Sequence, residues 1–123
     1  INLSKQLNVQ WVELHTGTFA NVYAMLYSGL ANTHHSIKSL ELSRKELKQL
    51  LDKSIHEIKS SAEHANKIAL KVAAGHGLNY QNTSHMLAIE SIQELNIGQS
   101  IIARSVFTGL QAAIVEMKEL ISK

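Results

Sequence analysis

A histidine flanked by two glycines, Gly75-His76-Gly77, directly follows a short apolar run. Histidine can donate or accept a proton near neutral pH, and flanking glycines let ligand atoms approach the backbone closely. The tripeptide therefore permits a general acid at His76. A turn histidine that makes only a structural hydrogen bond is the alternative.

Glu13 is the second candidate, inside the apolar and β-branched run 9–15. Side chains alternate along a strand, so Glu13 would share a face with Trp11 and His15, opposite the aliphatic side chains. The carboxylate could act as acid, base or charge stabiliser, or it could pair with Lys71 on the adjacent strand. His15 is open to the same two interpretations.

Gly98 follows the run 92–97 and precedes a short helix predicted over 99–107. The free amides and partial positive charge at a helix amino terminus favour anions. Barrel enzymes often bind phosphate between the loops after their last two strands and a short extra helix. We predict a phosphate cradle at Gly98, with a simple turn as the alternative.

Three short apolar runs predict the strands that must position these residues, at 9–15, 69–74 and 92–97. Strands that alternate with helices indicate a parallel sheet covered by helices. The polar residues of these strands fall on one face: Glu13, Lys71, Glu94 and Asn96. An open doubly wound sheet is apolar on both faces, whereas a barrel interior can be polar near its mouth.

The fold class expected is therefore α/β, a parallel (β/α)8 barrel, with this chain supplying the last three βα units. Residues 1–123 would form the carboxy-terminal part of a single barrel domain, because a whole barrel needs about 250 residues. The chain opens on Ile1, and residues 1–8 resemble the tail of a helix. We expect the missing amino-terminal half of the barrel to be its partner.

Two tetrapeptides have the pattern of a capping box, Ser-Arg-Lys-Glu at 43–46 and Thr-Gly-Leu-Gln at 108–111. The first predicts an amphipathic helix to about residue 66, and the second predicts the final helix. Residues 18–42 lack such regularity, so we predict an inserted loop there with a helical piece at 21–26.

Composition narrows the possible functions. Hydrophobic residues make up 45% of the chain and charged residues 18%, as in soluble globular domains. No run could cross a bilayer, and a formal charge of +2 gives little attraction for nucleic acid. The absence of cysteine excludes disulfides and thiolate metal sites and suits a reducing cytoplasm.

Other chemical motifs are incomplete. His56-Glu57 begins like a zinc-protease motif, but Ser60 stands where the second histidine is needed. His34 and His35 are adjacent in a predicted loop, and no phosphate loop or dinucleotide fingerprint is present. We expect no metal and no nucleotide.

Four motifs occur in order along the chain: VELHTG at 12–17, LKVAAGHGLNY at 70–80, ELNIGQSIIARSVFTGL at 94–110 and VEMKEL at 115–120. Together they resemble the carboxy-terminal half of the pyridoxine 5′-phosphate synthase family. The resemblance spans nearly the whole chain.

The resemblance implies a transferase-type condensation of 1-deoxy-D-xylulose 5-phosphate with 3-amino-2-oxopropyl phosphate, which yields pyridoxine 5′-phosphate in vitamin B6 biosynthesis. His76 matches the family's proton donor, and Glu13 matches the carboxylate that stabilises a transition state. Gly77, Gly98 and Gln99 match positions that bind the amino-ketone phosphate. The family uses no metal or organic cofactor and forms a cytoplasmic homo-octamer.

The resemblance also implies that further histidine and glutamate bases lie in the absent half, so this chain alone should be inactive. Three positions depart from the family: Gln99 stands where histidine is common, Ala73 where asparagine is common, and the loop 18–42 looks longer. The alternatives are another phosphate-binding barrel lyase or isomerase, and a non-catalytic barrel fragment. A Schiff-base aldolase is disfavoured because Lys71 lies early in its strand.

Overall fold

The computed structural model describes residues 1–122 and contains alternating helices and strands. The strands are β1 Trp11–His15, β2 Lys71–Gly75 and β3 Glu94–Asn96. The helices are α1 Asn2–Gln6, α2 Gly17–Tyr27, α3 Arg44–Lys67, α4 Ser84–Leu87, α5 Gln99–Thr108 and α6 Leu110–Ile121.

The three strands form one parallel sheet in the order β1-β2-β3, which confirms the predicted α/β class with parallel strands. Trp11 pairs with Lys71 and His15 with Gly75, while Gly75 pairs in turn with Asn96. This register aligns the carboxyl ends of all three strands at one edge of the sheet.

One face of the sheet packs against helices α2 and α3. The side chains of Val72 and Ala74 on β2 are fully buried there. Strand β2 thus forms the floor of a continuous hydrophobic cluster, whose members from the two helices are Phe19, Ala20, Val22, Met25, Leu26, Leu47, Leu51, Ile58, Ala62 and Ala65.

The opposite face of the sheet is polar and open. Glu13, Glu94 and Asn96 are exposed on it, as the alternation along the strands predicts. The ammonium group of Lys71 lies 5.3 Å from the ring centroid of Trp11, in a cation–π contact between neighbouring strands. One face is therefore covered and the other uncovered in the described part of the chain.

The segment predicted as an inserted loop, 18–42, begins with a regular helix instead. Helix α2 occupies Gly17–Tyr27, and its Phe19 and Val22 are fully buried in the hydrophobic cluster. The prediction was too narrow because the N-cap residue of α2, Thr16, makes no side-chain cap and the helix has no charged residue to reveal a helical period. Only the remainder is irregular, with two short 3-10 turns at Leu30–Asn32 and Lys38–Leu40.

The capping box predicted at Thr108 is wrong. Gly109 is the N-cap of α6 and makes no side-chain cap, with φ of 82°. Thr108 is instead the last residue of α5, and its hydroxyl lies 3.2 Å from the carbonyl oxygen of Arg104 in the preceding turn. The glycine between the two helices therefore separates them without a cap.

Helices α5 and α6 are joined by a salt bridge in which Arg104 contacts Glu116 through Nε at 3.0 Å and Nη2 at 2.7 Å. These hydrogen bonds raise the pKa of Arg104 further above its ordinary value. The guanidinium also lies 5.4 Å from the ring centroid of Tyr80, whose hydroxyl donates to the carbonyl of Ala113 at 2.8 Å. The pair thus holds the last two helices against the segment after β2.

The capping box at Ser43 is confirmed. The amide of Glu46 donates to Ser43 Oγ at 3.3 Å, and the amide of Ser43 donates to Glu46 Oε2 at 2.9 Å. Both bonds satisfy amides that the first turn of α3 would otherwise leave without a partner. The serine side chain and then its amide lower the pKa of Glu46.

Replacing Ser43 by alanine should lower the free energy of unfolding by about 1 kcal/mol, because the first turn of α3 loses its cap. Chemical denaturation of the full-length protein would measure the change. Ser60→Ala, at an exposed position within the same helix, is the matched control and should shift stability by less than about 0.5 kcal/mol. Equal effects of the two substitutions would contradict the capping role.

The capping box should also make stability depend on acid pH. The folded pKa of Glu46 lies below its ordinary value of 4.5, so its contribution is present above that pH and is lost as pH falls. Glu46→Gln should therefore lose less stability than the wild type between neutral pH and about pH 3. Denaturation series at several pH values would measure this, and parallel curves for the two proteins would refute it.

Candidate active site

The carboxyl ends of β1 and β2 are joined by the fully buried Thr16. Its amide donates to the carbonyl of Gly75 at 2.7 Å. Its hydroxyl lies 2.6 Å from that same oxygen and 2.7 Å from the carbonyl oxygen of His76. A residue of the first strand's turn therefore fixes the backbone on which His76 is carried.

His76 and Gly77 both have left-handed backbone conformations, with φ of 77° and 82°. A non-glycine residue rarely adopts positive φ, and the surrounding structure must hold it there. Two features exclude a side chain at Gly77: its positive φ, and the space there, since a Cβ would lie 2.5 Å from the Cβ of Ala20 on α2. The Gly-His-Gly sequence thus belongs to a tight turn that brings the histidine over the end of the sheet.

Two asparagines stabilise the chain just after this turn. Asn79 Oδ1 accepts the amides of Gln81 and Asn82, at 2.9 and 3.0 Å. Asn82 Oδ1 accepts the amide of Asn79 at 2.8 Å, while its Nδ2 donates to the carbonyl of Gly77 at 3.0 Å. The turn carrying His76 is therefore held from both sides, by Thr16 before it and by Asn82 after it.

Glu13 lies beside His76, with 3.4 Å between Glu13 Oε1 and His76 Nε2. The other carboxylate oxygen accepts a hydrogen bond from Asn96 Nδ2 at 2.8 Å. A Cβ at Gly75 would lie 2.5 Å from Glu13 Oε1, so the glycine leaves room for the carboxylate. The alternative ion pair with Lys71 is not formed among the described residues, since that ammonium lies over Trp11.

His15 is the third polar residue of β1's open face, and its ring stacks on that of His76 with centroids 4.3 Å apart. Glu13, His15 and His76 therefore form one cluster at the carboxyl edge of the sheet. The side chain of His76 is 61% exposed and that of Glu13 39%, so both can reach a ligand.

Gly98 precedes α5, whose first helical hydrogen bond runs from the amide of Ile102 to the Gly98 carbonyl at 3.1 Å. The amides of residues 99–101 precede that bond and have no partner within the helix. A Cβ at Gly98 would meet nothing within 4 Å, and its φ is −128°. Neither packing nor backbone conformation requires glycine here, and the space beside it is open to a ligand.

Ser100 joins this helix start to the turn after β2, because its hydroxyl donates to the carbonyl of Leu78 at 2.9 Å. The two loops that follow the last two strands are thereby connected directly. The distance between the histidine turn and the open amides of α5 is set by this contact.

A pocket of about 550 Å³ lies between these two loops. The five residues that the sequence singled out all line it: Glu13, His76, Gly77, Gly98 and Gln99. The structure thus brings together residues spread over the three βα units. An imidazole, a carboxylate and a helix amino terminus in one cavity suit proton transfer on an anionic ligand.

Sequence reasoning did not identify the polar residues that support this pocket. Asn96 was placed on the same strand face as Glu13, but its hydrogen bond to the carboxylate depends on strand register. Asn79 and Ser100 also line the pocket, and nothing in their local sequence distinguishes them from turn residues. The motif around Thr16 contained the signal, since a threonine directly after a strand can bond to the neighbouring strand's end.

Within residues 1–122, no cluster of three or more His, Cys, Asp or Glu side chains is arranged to hold a metal ion. No helix in that range has the length and apolar character needed to cross a membrane.

Comparison with known proteins places the chain in a family. The family described as Pyridoxal phosphate biosynthesis protein PdxJ matches residues 1–123. A protein of Aliarcobacter butzleri called pyridoxine 5′-phosphate synthase is 69% identical over 121 residues, covering 98% of this chain and 46% of its own length. Proteins of the same name from Sulfurimonas denitrificans and Sulfurovum are 58% and 54% identical, over 100% and 98% of this chain.

The chain spans about half the length of the curated relatives it matches, 46% to 47% of those three proteins. The match covers all four sequence motifs and confirms the resemblance they indicated. By sequence, the chain belongs to the PdxJ family.

Proposed function

We propose that this chain is the carboxy-terminal part of a pyridoxine 5′-phosphate synthase. The complete enzyme would condense 1-deoxy-D-xylulose 5-phosphate with 3-amino-2-oxopropyl phosphate, releasing inorganic phosphate and water. The observation that carries the proposal is the single pocket that Glu13, His76 and the start of α5 share. The name that the relatives carry, pyridoxine 5′-phosphate synthase, supports the same reaction.

The proposed complete fold is a (β/α)8 barrel in which residues 1–123 are the last three βα units of one domain. Three parallel strands in sequential order, covered by helices on one face and polar on the other, are compatible with a barrel segment. The remaining strands would pair with the free edges of β1 and β3 and enclose the open face. They would also supply the further histidine and glutamate bases, so the isolated chain should not convert the substrates to product.

In the proposed mechanism His76 is the proton donor and Glu13 stabilises positive charge that develops during the reaction. Schiff-base formation, phosphate loss and dehydration each require a proton to be moved to or from oxygen or nitrogen. His76 Nε2 is the nitrogen that faces the carboxylate. Asn96 occupies one oxygen of Glu13 and leaves the other directed toward the histidine.

The phosphate of the amino-ketone substrate would bind at Gly77, Gly98 and Gln99. Open amides at the start of the 10-residue helix α5 point to that cradle, because they offer donors and partial positive charge together. The backbone amide of Gln99 can take part whatever its side chain, so loss of the imidazole common at this position leaves the cradle in place.

We further propose that the enzyme needs no metal or organic cofactor and acts as a cytoplasmic homo-octamer. The family relationship is what supports this part of the proposal. Its two substrates are small phosphorylated molecules, for which the volume of the pocket, about 550 Å³, is sufficient.

His76→Asn in the full-length protein should lower kcat by about 10² or more, because a general acid is lost. Binding of inorganic phosphate should change little, since the cradle at Gly98 is intact. Steady-state kinetics and phosphate titration would measure the two effects. His56→Asn, at an exposed position on α3, is the matched control, and normal turnover by His76→Asn would remove this residue from the mechanism.

Gly98→Leu should weaken binding of the amino-ketone phosphate by about tenfold or more, or about 1.4 kcal/mol, because the side chain would occupy the cradle. Gly98→Ala should weaken it less, and both variants should keep the wild-type melting temperature, since a Cβ here meets no protein atom within 4 Å. Isothermal titration and thermal melts would measure these effects. Wild-type affinity in Gly98→Leu would place the phosphate elsewhere.

A further inference from the structure

His15 is placed by two features of the residue that starts α2. The amide of Gly17 donates to His15 Nδ1 at 3.2 Å. A Cβ at Gly17 would overlap Cε1 of the same ring, so only glycine allows the imidazole to lie over this backbone. The position of the His15 ring is therefore fixed by one hydrogen bond, and the absence of a side chain at Gly17 leaves room for the ring.

The same arrangement explains the missing cap of α2. Thr16 is the N-cap residue by position, but its hydroxyl contacts the carbonyls of Gly75 and His76 and makes no cap. His15 Nδ1 accepts an amide of the first turn in its place. Because Nδ1 is the acceptor, a neutral His15 carries its proton on Nε2.

The ring of His15 covers one face of the His76 imidazole. Their centroids are 4.3 Å apart and their planes are inclined by 21°. The side chain of His76 otherwise has few constraints, because it is 61% exposed and the imidazole's only polar contact among residues 1–122 is the 3.4 Å approach to Glu13. An exposed side chain samples several rotamers unless a neighbour removes them.

We infer that His15 is a positioning residue that holds the imidazole of His76 by stacking, with the Gly17 amide fixing His15 in turn. The inference rests on the proposed function only for its effect on turnover. The stack itself is a property of the folded protein. Small displacements of a reacting group lower the rate strongly, so loss of the stack should reduce kcat more than substrate binding.

Two substitutions separate the ring from its hydrogen bond. His15→Asn keeps an acceptor for the Gly17 amide and removes the ring, whereas His15→Phe keeps a planar ring and removes the acceptor. In the full-length enzyme His15→Asn should lower kcat about tenfold with KM changed less than about twofold. His15→Phe should recover most of that loss. Wild-type kcat in His15→Asn, or no recovery in His15→Phe, would overturn the inference.

A double-mutant cycle tests whether His15 acts through His76. In a His76→Asn background the further change His15→Asn should lower kcat less than about twofold, because no imidazole remains to be positioned. A second tenfold loss would show that His15 acts independently and would overturn the inference.

Nuclear magnetic resonance of the full-length protein, with histidine labelled at Cε1, provides a measurement that does not depend on turnover. Stacked rings shift each other's resonances, so the His76 signal should move in His15→Asn and remain closer to its wild-type position in His15→Phe. An unmoved signal in His15→Asn would overturn the stack. If His76→Asn turned over normally, the proposed acid would fail, and this measurement alone would decide the positioning.

Discussion

The site depends on the junction that Thr16 makes between the ends of two parallel strands. Its amide and hydroxyl both reach the carbonyl of Gly75, and the hydroxyl also reaches that of His76. A buried hydroxyl without partners would cost free energy, so these contacts favour one arrangement of the two turns. Glu13 and His15 precede the junction on one strand, and His76 follows it on the other. Their proximity follows from this one connection.

The two faces of the sheet differ in what they contact: one packs against the hydrophobic core, and the other carries polar side chains that line the pocket. Val72 of β2 packs into the cluster formed with α2 and α3. The polar side chains of the other face hold no core together and are free to serve a ligand. Side chains alternate along a strand, so the exposed carboxylate of Glu13 lies between two half-buried aliphatic residues, Val12 and Leu14, that point to the other face.

Much of this arrangement could be predicted because it depends on local patterns. Strand alternation placed Glu13 and Asn96 on one face, and the Ser43 capping box marked the start of α3. The predictions for Thr108 and for the segment 18–42 failed because the N-cap residues there, Gly109 and Thr16, make no side-chain cap.

The hydrogen bonds within the site could not be predicted from the sequence, for a different reason. The residues in the hydrogen bond between Asn96 and Glu13 are separated by 83 positions, and those in the contacts of Thr16 with Gly75 and His76 by 59 and 60. Such pairs can be predicted only when the strand register is known to a single residue, because a shift of one position turns every side chain to the other face. The spacing of residues along the chain does not determine that register.

The close approach of Gly77 to Ala20 has a consequence for motion. The turn that carries His76 is packed against α2 at a point where no side chain fits, and it is tied by hydrogen bonds through Thr16, Asn82 and Ser100. A segment restrained on every side cannot swing outward as a lid without breaking several bonds at once. It is therefore a fixed wall of the cavity, and it presents its backbone to that cavity in one arrangement.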